Sequence, residues 1–120
     1  MTKDAITTLL FNLQLPDKAK PAREAVINRL KRAGYKVTTN LPIETKSNSG
    51  RALYIEIIAV KGDEILAIEV DRRVPGSKAL IKMQSLDDNY TKIILLRNAN
   101  YGIRTIGKNL FVVGVNSYRL

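Results

Sequence analysis

The sequence predicts an α/β fold, a mixed central sheet flanked by helices, and three observations carry that expectation. Short runs of Ile, Val and Leu, bounded by turn residues, recur through the second half of the chain. Segments with apolar residues at three- and four-residue spacing stand apart from those runs. Helical and extended segments alternate as α, α, β, β, β, α, β, β, an order that lays helices on the faces of one sheet.

Residues 4–14, DAITTLLFNLQ, place Ile6, Leu9, Leu10 and Leu13 at helical spacing before the breaker-rich LPDKAKP at 15–21, so residues 1–20 read as an N-terminal helical extension. A second helix starts at Pro21. Ala22, Ala25, Val26, Leu30 and Ala33 form its apolar face, Arg23, Arg29, Lys31 and Arg32 its basic one, and Gly34 ends it. YKVTTNLPI at 35–43 reads as a strand and TKSNSG at 45–50 as a polar loop. LYIEIIAV at 53–60 and EILAIEV at 64–70, joined by Lys61, Gly62 and Asp63, read as a hairpin. Its first strand is apolar on both faces except for Glu56, as expected of a central strand. After Arg72–Gly76, SKALIKMQSL suits a helix capped by Ser77, with Ala79, Leu80 and Met83 inward and Lys78 and Lys82 one turn apart. TKIILLRN at 91–98 and NLFVVGVN at 109–116 complete the strands of a single domain over 1–120.

Composition narrows the chemistry. A 13.4 kDa chain buries about two-thirds of its unfolded surface, enough for one core. Without Cys or His there is no thiol nucleophile, imidazole base or zinc site, so any metal must be held by oxygen. The spacing of Gly102 and Gly107 is not that of a P-loop, which argues against a nucleotide hydrolase. No signal-peptide pattern or transmembrane-length apolar run is present, and a cytoplasmic protein that is not a membrane partner is expected. Against 11 Asp and Glu stand 20 Lys and Arg, a net charge of +9 that points to a polyanionic partner, nucleic acid first. The tyrosines, Tyr35, Tyr54, Tyr90, Tyr101 and Tyr118, are too scattered for a base-stacking platform.

Carboxylates inside apolar strands are the candidates for chemistry. Glu69 and Asp71 in AIEVDRR are two apart, so in a strand both project from one face, where a divalent cation would neutralise their repulsion. Glu56, on the neighbouring strand, can join them, and Glu24 on the second helix can supply a fourth acid. Each also has a structural reading. Glu69 can pair with Arg72 or Arg73, Asp71 can cap the turn before Pro75, Glu56 can face solvent, and Glu24 suits a helix first turn.

A helix ending in Gly, a strand, a loop with Gly50–Arg51, a hairpin whose second strand ends Ile-Glu-Val-Asp-Arg-Arg, then a basic helix and a strand: this order, over about residues 21–115, resembles the PD-(D/E)XK nuclease superfamily. The resemblance implies a restriction endonuclease-like core, as in restriction enzymes and Holliday junction resolvases. It also implies Mg²⁺- or Mn²⁺-dependent cleavage of DNA, including branched or structured DNA, by a homodimer. Glu24 matches the helix acid and Glu69 the acid of the (D/E)xK pair, while Asp71 stands where the Lys is expected. No acid follows Gly50 and Arg51 before Glu56, which under the resemblance would stand in for the usual Asp. The missing positive charge would come from Arg73, Lys78 or Lys82.

The expected site therefore comprises Glu24, Glu56, Glu69, Asp71 and Lys82, with Glu56, Glu69 and Asp71 on the metal and Arg51, Arg72, Arg73, Lys78 and Lys82 on nucleic acid. The departures from the family pattern support an alternative from another class: a non-cleaving module of the same fold that binds DNA or docks on a replication or repair protein. RNA binding is the lesser expectation.

Overall fold

The computed structural model describes residues 1–46, 49–99 and 102–118. In chain order the elements are α1 (Lys3–Leu9), β1 (Gln14–Pro16), α2 (Ala19–Arg32), β2 (Lys36–Lys46), β3 (Ala52–Lys61), β4 (Glu64–Asp71), α3 (Ser77–Ser85), β5 (Tyr90–Leu96), β6 (Gly102–Gly107), β7 (Leu110–Gly114) and β8 (Asn116–Tyr118). Six strands form one mixed sheet in the order β2-β3-β4-β5-β7-β6, so the predicted α/β class holds. β2, β3 and β4 run as an antiparallel meander, whereas β4, β5 and β7 lie parallel, with α3 connecting β4 to β5.

The sheet separates two apolar cores. On one face Ala22, Val26 and Leu30 of α2 and Ile6 of α1 meet Ile57, Leu66, Ile68, Ile93 and Leu95. On the other, Ala79 and Met83 of α3 meet Ile58, Ala67, Ile94 and Val112. β4 and β5 alternate between the two cores with period two, which is why both strands read as continuous apolar runs.

Local signals explain most boundaries. α2 ends in a Schellman arrangement: Tyr35 N–H donates to Leu30 C=O and Gly34 N–H to Lys31 C=O, while Gly34 takes φ +93°. Ser77 does not cap α3; it is the first helical residue, and Gly76 holds the cap position without a side-chain bond.

Other boundaries depart from expectation for tertiary reasons. The first helix stops at Leu9, and the chain turns through left-handed Asn12 into β1, which pairs in parallel with β8. The predicted last strand is two, β7 and β8. β6 was not anticipated, because GIRTIG is an exposed edge strand whose pairing with β7 leaves no apolar alternation to read. Of the predicted loop at 45–50, Ser47 and Asn48 lie outside the described residues, as does Tyr101. Among the described residues no helix is long and apolar enough to cross a membrane.

Candidate active site

β3 and β4 form a regular ladder from Lys61↔Glu64 at their turn to Ile57↔Ile68. In that register the next pair is Glu56 and Glu69, and there side chains replace the ladder. Glu56 N–H donates to Glu69 Oε2 at 2.7 Å, and Val70 N–H donates to Glu56 Oε1 at 3.1 Å. Each carboxylate takes the place of a carbonyl on the opposing strand, so the strands part without leaving these N–H groups orphaned.

The backbone is irregular at this level. Ile55 packs into the α3-side core and Ile57 into the α2-side core, although regular alternation would send both the same way. Between Thr39↔Ile57 and Leu41↔Ile55, Asn40 of β2 stands opposite Glu56 with φ +55°, a left-handed conformation that Asn adopts more readily than most residues. The break is therefore shared by three adjacent strands.

Each carboxylate has one cation, brought from opposite faces of the sheet. Arg23 Nη1 of α2 lies 3.2 Å from Glu56 Oε2, and Lys82 Nζ of α3 lies 2.8 Å from Glu69 Oε1. The result is an alternating row, Arg23, Glu56, Glu69, Lys82, threaded through the sheet. Its halves differ in access: the Glu56 side chain is 18% exposed and that of Glu69 4%. Burial pushes the Glu69 carboxyl up to about 7, with the Lys82 bond and the Glu56 N–H opposing that rise and the Glu56 charge adding to it.

Glu56 opens onto a cleft of about 270 Å³ walled by Lys20, Arg23, Glu24 and Ile27 of α2 and by Thr39 and Asn40 of β2. Glu24 is exposed at this cleft, so the predicted helix acid shares a wall with Glu56.

Asp71 corrects the expected metal set. Its Oδ2 accepts Gly76 N–H at 2.7 Å and fixes the bend into α3, the turn-capping role. Among the described residues no three acidic side chains gather closely enough to hold one ion. Of the expected nucleic-acid contacts, Arg72, Arg73 and Lys78 are exposed after β4 and at the start of α3, and Arg51 is exposed before β3. Lys82 is not a surface contact, since its ammonium is committed to Glu69.

Glu56 and Glu69 are the two carboxylates of the expected set that the structure brings together. Mg²⁺ is commonly held by one or two carboxylates, with waters and substrate phosphate completing the shell. Each Glu56 and Glu69 oxygen accepts one bond and retains a second lone pair.

Sequence reasoning missed Arg23 and Asn40 as parts of this site. Arg23 had a signal, since it follows buried Ala22 and precedes Glu24 on a helix whose apolar face packs on the sheet. Asn40 had a weaker one, a turn-former inside a strand. In comparisons with known proteins, the chain matches no family model and no curated protein.

Proposed function

We propose that this chain is a cytoplasmic, metal-dependent phosphodiesterase that cuts DNA, including branched or structured DNA, as a homodimer. One observation carries the reading: Glu56 and Glu69, on adjacent strands, bind each other's backbone where the ladder parts, with Lys82 on Glu69. The resemblance to nucleases and the +9 charge point the same way.

Glu56 and Glu69 would hold Mg²⁺ or Mn²⁺, which supplies a Lewis acid toward the phosphate and a water acidified for attack. The remaining work falls to the chain's own groups. Lys82 occupies the functional place of the Lys that Asp71 replaces: it favours the ionised form of Glu69 and adds positive charge beside it. Arg72, Arg73 and Lys78 offer phosphate contacts, which position a nucleic acid without reading its sequence. Arg23 holds the Glu56 carboxylate at the cleft.

The test is cleavage of linear, nicked and four-way DNA with Mg²⁺ or Mn²⁺, comparing wild type with Glu69→Ala. Cleavage lost in the variant supports the reading. DNA binding without cleavage under either metal overturns it in favour of the second reading, a nuclease-fold module that binds DNA or docks on a replication or repair protein. That alternative rests on its own observation: Arg23 and Lys82 already balance the charge of both carboxylates.

A further inference from the structure

The carboxyl end of β5 holds a cation that the site does not use. Arg97 N–H donates to Asp71 C=O at 2.9 Å and Asn98 N–H to Arg72 C=O at 2.8 Å, so residues 97–98 run beside the bend that leaves β4. The Arg97 side chain is half-buried, and its Nε is fully buried with no acceptor. No acceptor among the described residues meets the rest of its guanidinium either. An uncommitted guanidinium is unusual, because a buried polar group is ordinarily satisfied inside the fold. Lys82, Arg23 and Lys92 all have partners.

We propose that Arg97 is a phosphate contact at the carboxyl end of β5, where its backbone is hydrogen-bonded to the segment that carries the exposed Arg72 and Arg73. Three features support this. Arg97 is joined by backbone hydrogen bonds to the segment carrying Asp71 and Arg72, two and three residues beyond Glu69. Nε is sunk without an internal acceptor, which leaves the guanidinium's charge and donors for an external anion. A planar fork matches phosphate oxygens in pairs, which suits a strand lying across the ends of β4 and β5. The inference rests on the DNA reading of this chain but not on cleavage.

Fluorescence anisotropy of labelled single-stranded and duplex DNA in EDTA, across a salt series, tests it in the full chain. Arg97→Ala should weaken binding about tenfold and lower the magnitude of the salt slope by about one. Arg97→Lys should recover most of the slope, because the charge is kept. Lys108→Ala removes an equal charge that is 77% exposed and paired with Asp88, and should leave the slope near wild type. The competing explanation is a structural bond to Asp17, whose Oδ1 is the other buried side-chain atom without a partner among the described residues. Arg97→Ala with wild-type affinity and slope overturns the proposal, and a lowered Tm with unchanged binding assigns Arg97 to Asp17. DNA binding that depends on Arg97, with no cleavage in Mg²⁺, leaves this inference standing while the nuclease reading falls. A wild-type chain that binds neither probe overturns both.

Discussion

The hairpin of β3 and β4 has two ends that behave in opposite ways. Toward its turn, Ile58↔Ala67, Ala59↔Leu66 and Val60↔Ile65 continue a backbone ladder, with Ile58 and Ala67 in one core and Ala59 and Leu66 in the other. At the open end Glu56 and Glu69 occupy the next position, and the strands are joined through carboxylates. A carboxylate within a sheet is tolerable only where backbone donors and cations replace its water. Here the replacements come from Val70 and Arg23 for Glu56, and from the Glu56 N–H and Lys82 for Glu69. The closed end can lose a side chain and remain a ladder, whereas the open end depends on every member of the row.

The strongest way to break that row is Lys82→Met. Removing one partner of a buried ion pair costs about 3–5 kcal/mol, because the other charge stays buried. Glu69 escapes part of this by taking up a proton, so the loss should be largest near pH 8 and small near pH 5. Urea unfolding at both values measures it. Adding Glu69→Gln to Lys82→Met should restore much of the pH 8 loss. Equal losses at the two pH values would show that Lys82 acts on stability through packing and not through Glu69.

Glu69 itself sets a pH dependence with a definite sign. Its folded value of about 7 lies above the ordinary 4.5, so between these values the folded chain holds a proton that the unfolded chain has released. This group's contribution to stability is therefore present below about pH 4.5, falls as pH rises to about 7, and is flat above. Its span is on the order of 3 kcal/mol. The difference between wild type and Glu69→Gln, followed by urea unfolding from pH 4.5 to 8, isolates it from other carboxylates, and parallel curves would remove Glu69 as the source. Cleavage should rise through the same region, since Glu69 must be ionised to hold a cation, and Lys82→Met should move that rise to higher pH.

Glu56 should matter less to stability. Its side chain is partly open to water, which can reach Val70 N–H and Arg23 once the carboxylate is gone. Glu56→Ala is expected to cost about 1 kcal/mol, the low end of the range for losing the partner of a buried donor, because water replaces the carboxylate. Glu56→Gln keeps an acceptor for Val70 N–H and should fold within about 1 kcal/mol of wild type while losing cleavage. A fully active Glu56→Gln would place the metal elsewhere. Asp71 provides the contrast within β4: Asp71→Asn keeps the bond to Gly76 N–H, so unfolding and cleavage should both stay near wild type. Loss of cleavage in that variant would return Asp71 to the ligand set.

Much of this was legible in the sequence, and the parts that were not share a cause. Glu56, Glu69 and Lys82 could be found because a charge inside an apolar run, or at helical spacing beside one, is conspicuous. α2 was legible through its apolar face and Gly34, and β4 and β5 through runs buried on both sides. β6 and β1 were not, because an exposed edge strand and a three-residue parallel pair owe their existence to partners distant in sequence. Asp71 misled for a related reason: period two put it on the face of Glu69, but the strand ends at Asp71 and the carboxylate folds back to Gly76. Arg23 was visible as a charge, but its pairing with Glu56 spans 33 positions and follows from how α2 crosses β3.

The smallest expected effect concerns what opens the row. Asn40 stands opposite Glu56 on β2 with φ +55°, at the level where β3 loses its alternation. A residue with a Cβ pays roughly 1–2 kcal/mol in this left-handed region, glycine pays little, and Asn lies between. Asn40→Ala should therefore cost up to about 1 kcal/mol and Asn40→Gly stay within a few tenths of wild type. Asn40→Val, branched at Cβ and suited to a flat strand, should cost the most of the three. Urea unfolding ranks them. Should Ala and Gly prove equal, the positive φ would carry no strain and the break at Glu56 would originate in β3 and β4 alone. If the predicted ranking holds and cleavage falls in the same order, the bend in β2 is part of what keeps the open end of the hairpin from closing into the ladder seen at its turn.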